Sequence, residues 1–252
     1  MSLFDVKGKT ILITGASRGI GKTLALGFRD AGAIVYGAGS RPESIEWMSN
    51  AHTINGVVLD VRNEGAAFEV IGQIKTKHGR LDTLINNAGI ATNTPASGFK
   101  EEELQNIVQT NYVGVFRNCQ AYYKHHKKEG GNIINVASVL GMVGSKLASV
   151  YSGTKGAVIT LSKALAIEWC NNGYRVNVIC PGLIDTEMTD MIKDKEFIMK
   201  QVLAGIPMGR LGKPEEILGA AIYLASDSSS YMTGQCIVLD GGRDCTVAAC
   251  KV

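Results

Sequence analysis

Lys9 to Thr14 (Lys-Thr-Ile-Leu-Ile-Thr) is a short apolar run rich in β-branched residues, and it stops at Gly15. Such a run reads as a buried strand. Gly19 and Gly21 follow, and Lys22 to Ala31 suits a helix. A strand, a glycine-rich turn and a helix, in that order, restrict the fold more than any other stretch. Gly15 permits a tight turn, Gly19 lets backbone approach a pyrophosphate, and Gly21 allows close packing of helix on strand. The spacing is G-x-x-x-G-x-G rather than G-x-G-x-x-G. Glycines also mark plain turns, so the weight of the dinucleotide reading lies in their place directly after the first strand.

The alternation continues along the chain. Strands are expected at 33–38, 56–61, 81–85, 132–137, 175–180 and 236–239. Helices are expected at 43–50, 64–78, within 101–128, at 149–171 and at 214–225. Phe68, Ile71 and Ile74 are expected on one side of the 64–78 helix. Glu101, Glu102 and Glu103 fall in a first helical turn, where the dipole favours anions. Pro214 opens its helix, a position that tolerates the missing N–H. Strand–helix alternation throughout implies a single doubly wound α/β domain over residues 1–252, with a mostly parallel seven-stranded sheet and helices on both faces. No linker or repeat divides the chain.

Bulk properties exclude several classes. The net charge is +3, too small for a nucleic-acid binder. The densest basic run, Lys124-His125-His126-Lys127-Lys128, reads as the solvated end of a helix. No apolar run approaches the roughly 20 residues of a membrane span, and Met1 to Lys9 holds no signal-peptide core. The six cysteines show no C-x-x-C spacing, which suits reduced, mostly buried thiols in a cytoplasmic protein. Nothing suggests a metal site.

Tyr151 and Lys155 lie four residues apart, hence one turn apart on the same helix face. A nearby ammonium lowers a phenol's pKa from its usual value of about 10. Such a pair is a proton donor or acceptor usable near neutral pH. Tyr and Lys also occur at this spacing by chance, as a helix face with a snorkelling lysine. The glycine loop, Asp60, Asn87, Ser138 and Pro181-Gly182 all fall at expected carboxyl ends of strands, the edge where such sheets bind ligands.

Together these residues resemble the short-chain dehydrogenase/reductase family. Thr14-Gly15-x-x-x-Gly19-x-Gly21 resembles its cofactor motif, and Asn86-Asn87-Ala88-Gly89 its Asn-Asn-Ala-Gly motif. Asn111 falls at the family's catalytic Asn, and Ser138 lies thirteen residues before Tyr151, the usual separation. Pro181-Gly182-Leu183-Ile184-Asp185-Thr186 resembles the loop at the nicotinamide end, and Asp240-Gly241-Gly242 the last-strand ending. The match runs from about Val6 to Gly242.

The resemblance implies hydride transfer between a nicotinamide and a carbonyl or alcohol carbon. Tyr151 would give the proton, with Lys155 lowering its pKa and holding the nicotinamide ribose. Ser138 would donate to the substrate oxygen, and Asn111 would hold a water leading from Lys155 to solvent. The implied cofactor contacts are Gly15, Ser17, Arg18, Gly19, Ile20, Gly21, Ser40, Arg41, Asp60, Val61, Asn87, Ala88, Gly89, Tyr151, Lys155, Pro181, Gly182, Ile184 and Thr186. NAD-preferring relatives carry an Asp near the end of strand two, and that position is Gly39 here, followed by Ser40 and Arg41. Two guanidiniums and no carboxylate favour NADP(H) over NAD(H).

Ile206 to Glu216 fits both 3-oxoacyl-acyl-carrier-protein reductases and sugar-acid dehydrogenases. Carrier-protein reductases commonly follow Asn-Asn-Ala-Gly with Ile-Thr-Arg-Asp, whereas this chain has Ile90-Ala91-Thr92-Asn93. The expected activity is 3-oxoacyl reductase-like, with a sugar or sugar-acid dehydrogenase as the alternative. A non-catalytic NADP(H) sensor and a structural oligomer are the readings of another class. Lys146 is a candidate anchor for a substrate carboxylate, and residues 186–205, with Met188, Met191, Ile192, Phe197, Ile198 and Met199, read as a substrate flap. The helix at 149–171 carries apolar residues on more than one face, which with the resemblance implies a homotetramer joined partly by the tail 243–252.

Overall fold

The structure is a computed structural model that describes residues 3–51 and 53–245. Seven parallel strands form one sheet: β1 (Thr10–Thr14), β2 (Ile34–Gly39), β3 (Asn55–Val58), β4 (Thr83–Asn86), β5 (Gly131–Val136), β6 (Tyr174–Pro181) and β7 (Cys236–Leu239). Their order is β3-β2-β1-β4-β5-β6-β7, so the winding reverses between β1 and β4. This is the Rossmann-like, doubly wound arrangement, and its crevice opens where the order reverses.

Apolar residues on both faces of every central strand require two covers. One face packs against α1 (Gly19–Asp30), α2 (Glu46–Ala51) and α9 (Glu215–Ala225), around Leu24, Phe28, Met48, Ile217 and Leu224. The other packs against α3 (Ala66–His78), α5 (Gly114–His126) and α6 (Ser149–Trp169). α4 (Glu101–Val108) runs into α5 through a π-helical turn, Gln109–Val113. Past β6 lie a 3-10 turn, Glu187–Thr189, then α7 (Asp190–Lys193) and α8 (Glu196–Ala204).

Several expectations change. β3 ends at Val58, so Leu59, Asp60 and Val61 form the turn beyond it rather than its last residues. α3 buries Ala67, Val70, Ile71 and Ile74, while Phe68 turns outward at 46 % exposure and stacks on His125, ring centroids 4.1 Å apart. His126 is not solvated: it is fully buried, and its Nε2 accepts from the Leu81 N–H at 3.0 Å. The free thiols are divided rather than mostly buried: Cys119 and Cys180 are buried, Cys236 is half-buried, and Cys170 and Cys245 are exposed. The tail from 246 onward, with Cys250, lies outside the described residues. Among the described residues no helix is long and apolar enough to cross a membrane, and no cluster of three His, Cys, Asp or Glu is placed to hold a metal.

Two devices seat α6, the helix carrying Tyr151 and Lys155. At its far end Trp169 stacks on Tyr123 with centroids 4.4 Å apart and meets Tyr174 of β6 edge-on at 5.7 Å. Each such pair adds about 0.5–1.5 kcal/mol beyond its area. In its middle a buried polar chain crosses the sheet. Asn118 Nδ2 donates to Asn86 Oδ1 (2.9 Å), Asn86 Nδ2 to Asn135 Oδ1 (2.8 Å), and Asn135 Nδ2 to Ser162 Oγ (2.8 Å). Ser162 Oγ in turn donates to the Val158 carbonyl. Buried polar groups are costly unless paired, so this chain restricts the sheet–helix registers available.

Candidate active site

The sheet edge at the reversal is stitched by one hydroxyl and one amide. Thr14 Oγ1 accepts from the N–H groups of Asn87 and Ala88, both at 3.1 Å. Asn87 Nδ2 donates to Thr14 O at 3.1 Å and Gly15 O at 3.0 Å. Gly15 takes φ +64°, and a β-carbon there would lie 2.7 Å from Ala88 Cα. The close approach of the β1 and β4 turns therefore requires glycine. Thr14 belonged to the motif by sequence, but its clamping role follows only from the pairing of β1 with β4.

Ser17, Arg18, Gly19, Ile20 and Gly21 form the turn into α1, and the exposed Arg18 is the residue before its first turn. Ser40 and Arg41 follow β2, both exposed. Neither Arg18 nor Arg41 has an ion-pair partner among the described residues. A β-carbon on Gly19 would stand 3.3 Å from Thr186 Cγ2 and 3.5 Å from Glu187 Oε2, so the loop after β6 reaches over the glycine turn. Glu187 carried no sequence signal. Gly182 closes on Asp240 at the end of β7, and Ile184 bridges to Gly212. Asp185 N donates to Gly212 O (2.8 Å), and Gly212 N to Leu183 O (2.9 Å), which closes the neck of the 186–211 excursion. Lys193 pairs with Asp190 inside it and with Asp185 at its neck.

Asp60 is half-buried and taken. The Arg62 guanidinium grips both its oxygens, with Nη2 2.6 Å from Oδ2 and Nε 3.0 Å from Oδ1. That hydrogen bonding holds the carboxyl below its usual range. A cofactor group bonding to the Asp60 carboxylate, one of the implied contacts, would compete with Arg62. Val61 is buried against Gly114.

The second half of the edge gathers Asn111, Ser138, Tyr151 and Lys155. The 3-10 turn Val139–Gly141 after β5 packs directly on α6, where a β-carbon at Gly141 would lie 2.7 Å from the Lys155 carbonyl carbon. This seats Ser138, whose Oγ accepts from Leu140 N at 3.1 Å, against the Tyr151 hydroxyl. Lys155 is 4 % exposed, donates to Val136 O at 2.9 Å and stands 5.7 Å from the Tyr151 ring centroid. The would-be β-carbon of Gly89 is 3.3 Å from Lys155 Nζ and 3.5 Å from Asn111 Oδ1, so the Asn-Asn-Ala-Gly turn, Lys155 and Asn111 share one small space.

One expectation needs correction. Burial raises the Tyr151 pKa, and the hydrogen bond with Ser138 only opposes it. Burial also brings Lys155 down, to about 8. Desolvation of both groups outweighs the attraction that would have lowered the phenol. Asn111 lies inside the π turn, and its side chain is engaged within the protein. Its Oδ1 accepts from Ile90 N (2.9 Å), and its Nδ2 donates to Ile90 O (2.8 Å) and Thr154 Oγ1 (3.3 Å). Lys146 is exposed on the segment between Ser138 and Tyr151.

A parallel sheet with a glycine turn at its reversal and a Ser–Tyr–Lys trio on the same edge defines a Rossmann-type oxidoreductase. A family model described as enoyl-(acyl carrier protein) reductase matches residues 15–244. A 3-oxoacyl-[acyl-carrier-protein] reductase of Thermotoga maritima is 38 % identical over 243 residues, covering 94 % of this chain and 98 % of that one. A gluconate 5-dehydrogenase of Gluconobacter oxydans is 37 % identical over 247 residues, covering 95 % and 96 %. The crystal structure of a gluconate 5-dehydrogenase from Burkholderia cenocepacia, in complex with NADP and tartrate, superposes with a TM-score of 0.92 at 32 % identity, covering 97 % and 98 %. The chain belongs to the short-chain dehydrogenase/reductase family.

Proposed function

We infer that the protein is an NADP(H)-dependent oxidoreductase that reduces a carbonyl, or oxidises the matching secondary alcohol, of a small substrate in the manner of a 3-oxoacyl reductase. The observation that carries this is the convergence of Ser138, Tyr151 and Lys155 on the edge that also presents the glycine turn. The nicotinamide, when bound, supplies or accepts the hydride. Tyr151, kept protonated by burial, is the acid toward the carbonyl oxygen in the reducing direction. Ser138 donates to the same oxygen and steadies its developing charge. Lys155 supplies positive potential behind the phenol, and Asn111 braces the Ile90 loop against that site.

The dinucleotide fits the residues present. Glycines stand where side chains would fill the cradle at 15 and 19, and the guanidiniums of the exposed Arg18 and Arg41 suit a 2′-phosphate. The NADP complex of the Burkholderia relative supports the same choice. Ser17, Ile20, Gly21, Ser40, Val61, Asn87, Ala88, Gly89, Pro181, Gly182, Ile184 and Thr186 complete the proposed contacts; Asp60 takes part only if Arg62 yields.

Exposed apolar side chains on the segments flanking Tyr151 favour an apolar substrate. Met142, Val143 and Leu147, between Ser138 and Tyr151, are exposed, as are Met188 and Phe197 beyond β6. Lys146, exposed in the same segment, is what favours the sugar-acid alternative. A screen of NADPH oxidation against acetoacetyl thioesters, keto-sugar acids and diketones tests the reading. Turnover confined to keto-sugar acids selects the alternative, and tight NADPH binding without turnover across the panel selects a sensor.

The assembly we infer is a homotetramer. Ile167 of α6 is 78 % exposed, and Phe116 of α5 is also exposed, apolar surface that a second copy would cover. Light scattering at micromolar concentration that returns the monomer mass would remove this part.

A further inference from the structure

We propose that Ser44 is the positioning residue that sets cofactor choice, by holding the Arg41 turn and by occupying the space that an NAD-selecting carboxylate would need. The inference rests on the NADP(H) reading above and deepens it.

Two observations meet at this residue. Ser44 Oγ donates to Arg41 O at 2.6 Å and accepts from Arg41 N at 3.3 Å, while Ser44 N donates to the same carbonyl at 3.1 Å. One side chain thus ties both backbone polar groups of Arg41 and holds it extended, at φ −144° and ψ 153°, ahead of the Pro42–Ser44 turn. The Arg41 side chain is left exposed beyond the end of β2. A long flexible arginine gains most from a fixed root, since less freedom is lost when it meets a phosphate.

Gly39 supplies the second observation. Its backbone is locked in the sheet, with Val58 opposite and its carbonyl accepting from Leu59 N at 2.7 Å. A β-carbon on Gly39 would overlap Ser44 Oγ and lie 2.9 Å from Ile45 Cγ2. The hydroxyl can leave only by breaking both of its bonds to Arg41. The two cofactor preferences therefore exclude each other through Ser44: an acidic side chain at 39 displaces the residue that steadies the arginine at 41.

The test compares NADPH and NADH dissociation constants, read by nucleotide fluorescence, for wild type, Ser44→Ala, Gly39→Asp and Gly39→Asp/Ser44→Gly. Ser44→Ala should weaken NADPH by about three- to tenfold and leave NADH within about twofold, because only NADPH brings a phosphate to Arg41. Gly39→Asp alone should weaken NADPH without gaining NADH. The double variant should bind NADH about tenfold more tightly than the single one. An unchanged NADPH-to-NADH ratio in Ser44→Ala, which keeps the sheet intact, overturns the proposal even if the Gly39 variants fail to fold. So does a Gly39→Asp protein that gains NADH as fully as the double variant. Wild type binding NADH as tightly as NADPH, or binding neither, instead removes the NADP(H) reading beneath it.

Discussion

Asn111 holds Ile90 by both backbone groups, its Oδ1 2.9 Å from Ile90 N and its Nδ2 2.8 Å from Ile90 O. The clamp fixes the strand-end turn that brings Gly89 beside Lys155. Asn111→Leu keeps the volume and leaves both Ile90 groups unpaired, at a cost of about 1–3 kcal/mol. The melting temperature should fall by roughly 2–12 °C for a chain of this size. Turnover should fall at least about tenfold with NADPH affinity changed far less. Equal losses in affinity and turnover would make Asn111 a cofactor contact instead.

Much of this edge was legible in the chain. Glycines at 15, 19 and 21 directly after a β-branched run mark the turn into a helix, and local spacing alone places Tyr151 one helical turn from Lys155. What was not legible depends on neighbours far apart in sequence. Asp60 lost its free carboxylate to Arg62, which also bonds Asn106. Phe68 and His126 exchanged their expected environments, Phe68 lying outward against His125 of α5 and His126 buried under the Leu81 N–H. Nor can spacing report desolvation, so the direction of the Tyr151 shift was misread.

Tyr151→Phe should bind NADPH as wild type does and lose turnover by about 10²–10⁴-fold, the range for a positioned proton donor. In wild type the phenol stays protonated well past neutrality, whereas Lys155 titrates near 8. Reductive turnover should therefore fall as pH rises through about 8, with one proton lost. A profile flat to pH 10 would detach Lys155 from the chemistry.

Lys155 also costs stability. Its folded pKa of about 8 lies below the ordinary lysine value, so the unfolded chain binds the proton more readily and stability increases with pH between about 8 and 10.5. Lys155→Met removes that cost and gives up one hydrogen bond to Val136 O. The variant should be inactive yet more stable than wild type by about 1–3 kcal/mol at pH 7, a trade common at functional sites. Urea titration checks this, and a less stable variant would contradict it.

His126 gives the opposite end of the pH range. Burial lowers its pKa to about 4, and as a neutral ring it accepts from Leu81 N. A base with a depressed folded pKa contributes stability that is present above its unfolded value of about 6.5 and is lost as pH falls toward 4. Between pH 7 and pH 5 this group should remove about 2 kcal/mol from the unfolding free energy. Urea midpoints at the two pH values read the loss. His126→Gln should start less stable and show a correspondingly flatter dependence, and an undiminished slope would assign the loss to other groups.

Glu187 places an exposed carboxylate 3.5 Å from the β-carbon position of Gly19, above the turn where the proposed cofactor's phosphates would rest. Like charges at that range repel even when partly screened. Glu187→Gln keeps the shape and removes the charge, so NADPH should bind about threefold more tightly at low salt, with the difference shrinking toward 1 M salt as the Debye length falls to about 3 Å. Adenosine 2′-monophosphate lacks the pyrophosphate and should bind both proteins alike, which separates local repulsion from a general change in net charge. If Glu187→Gln binds NADPH no more tightly than wild type at any salt concentration, the carboxylate leaves the cradle before the phosphates arrive.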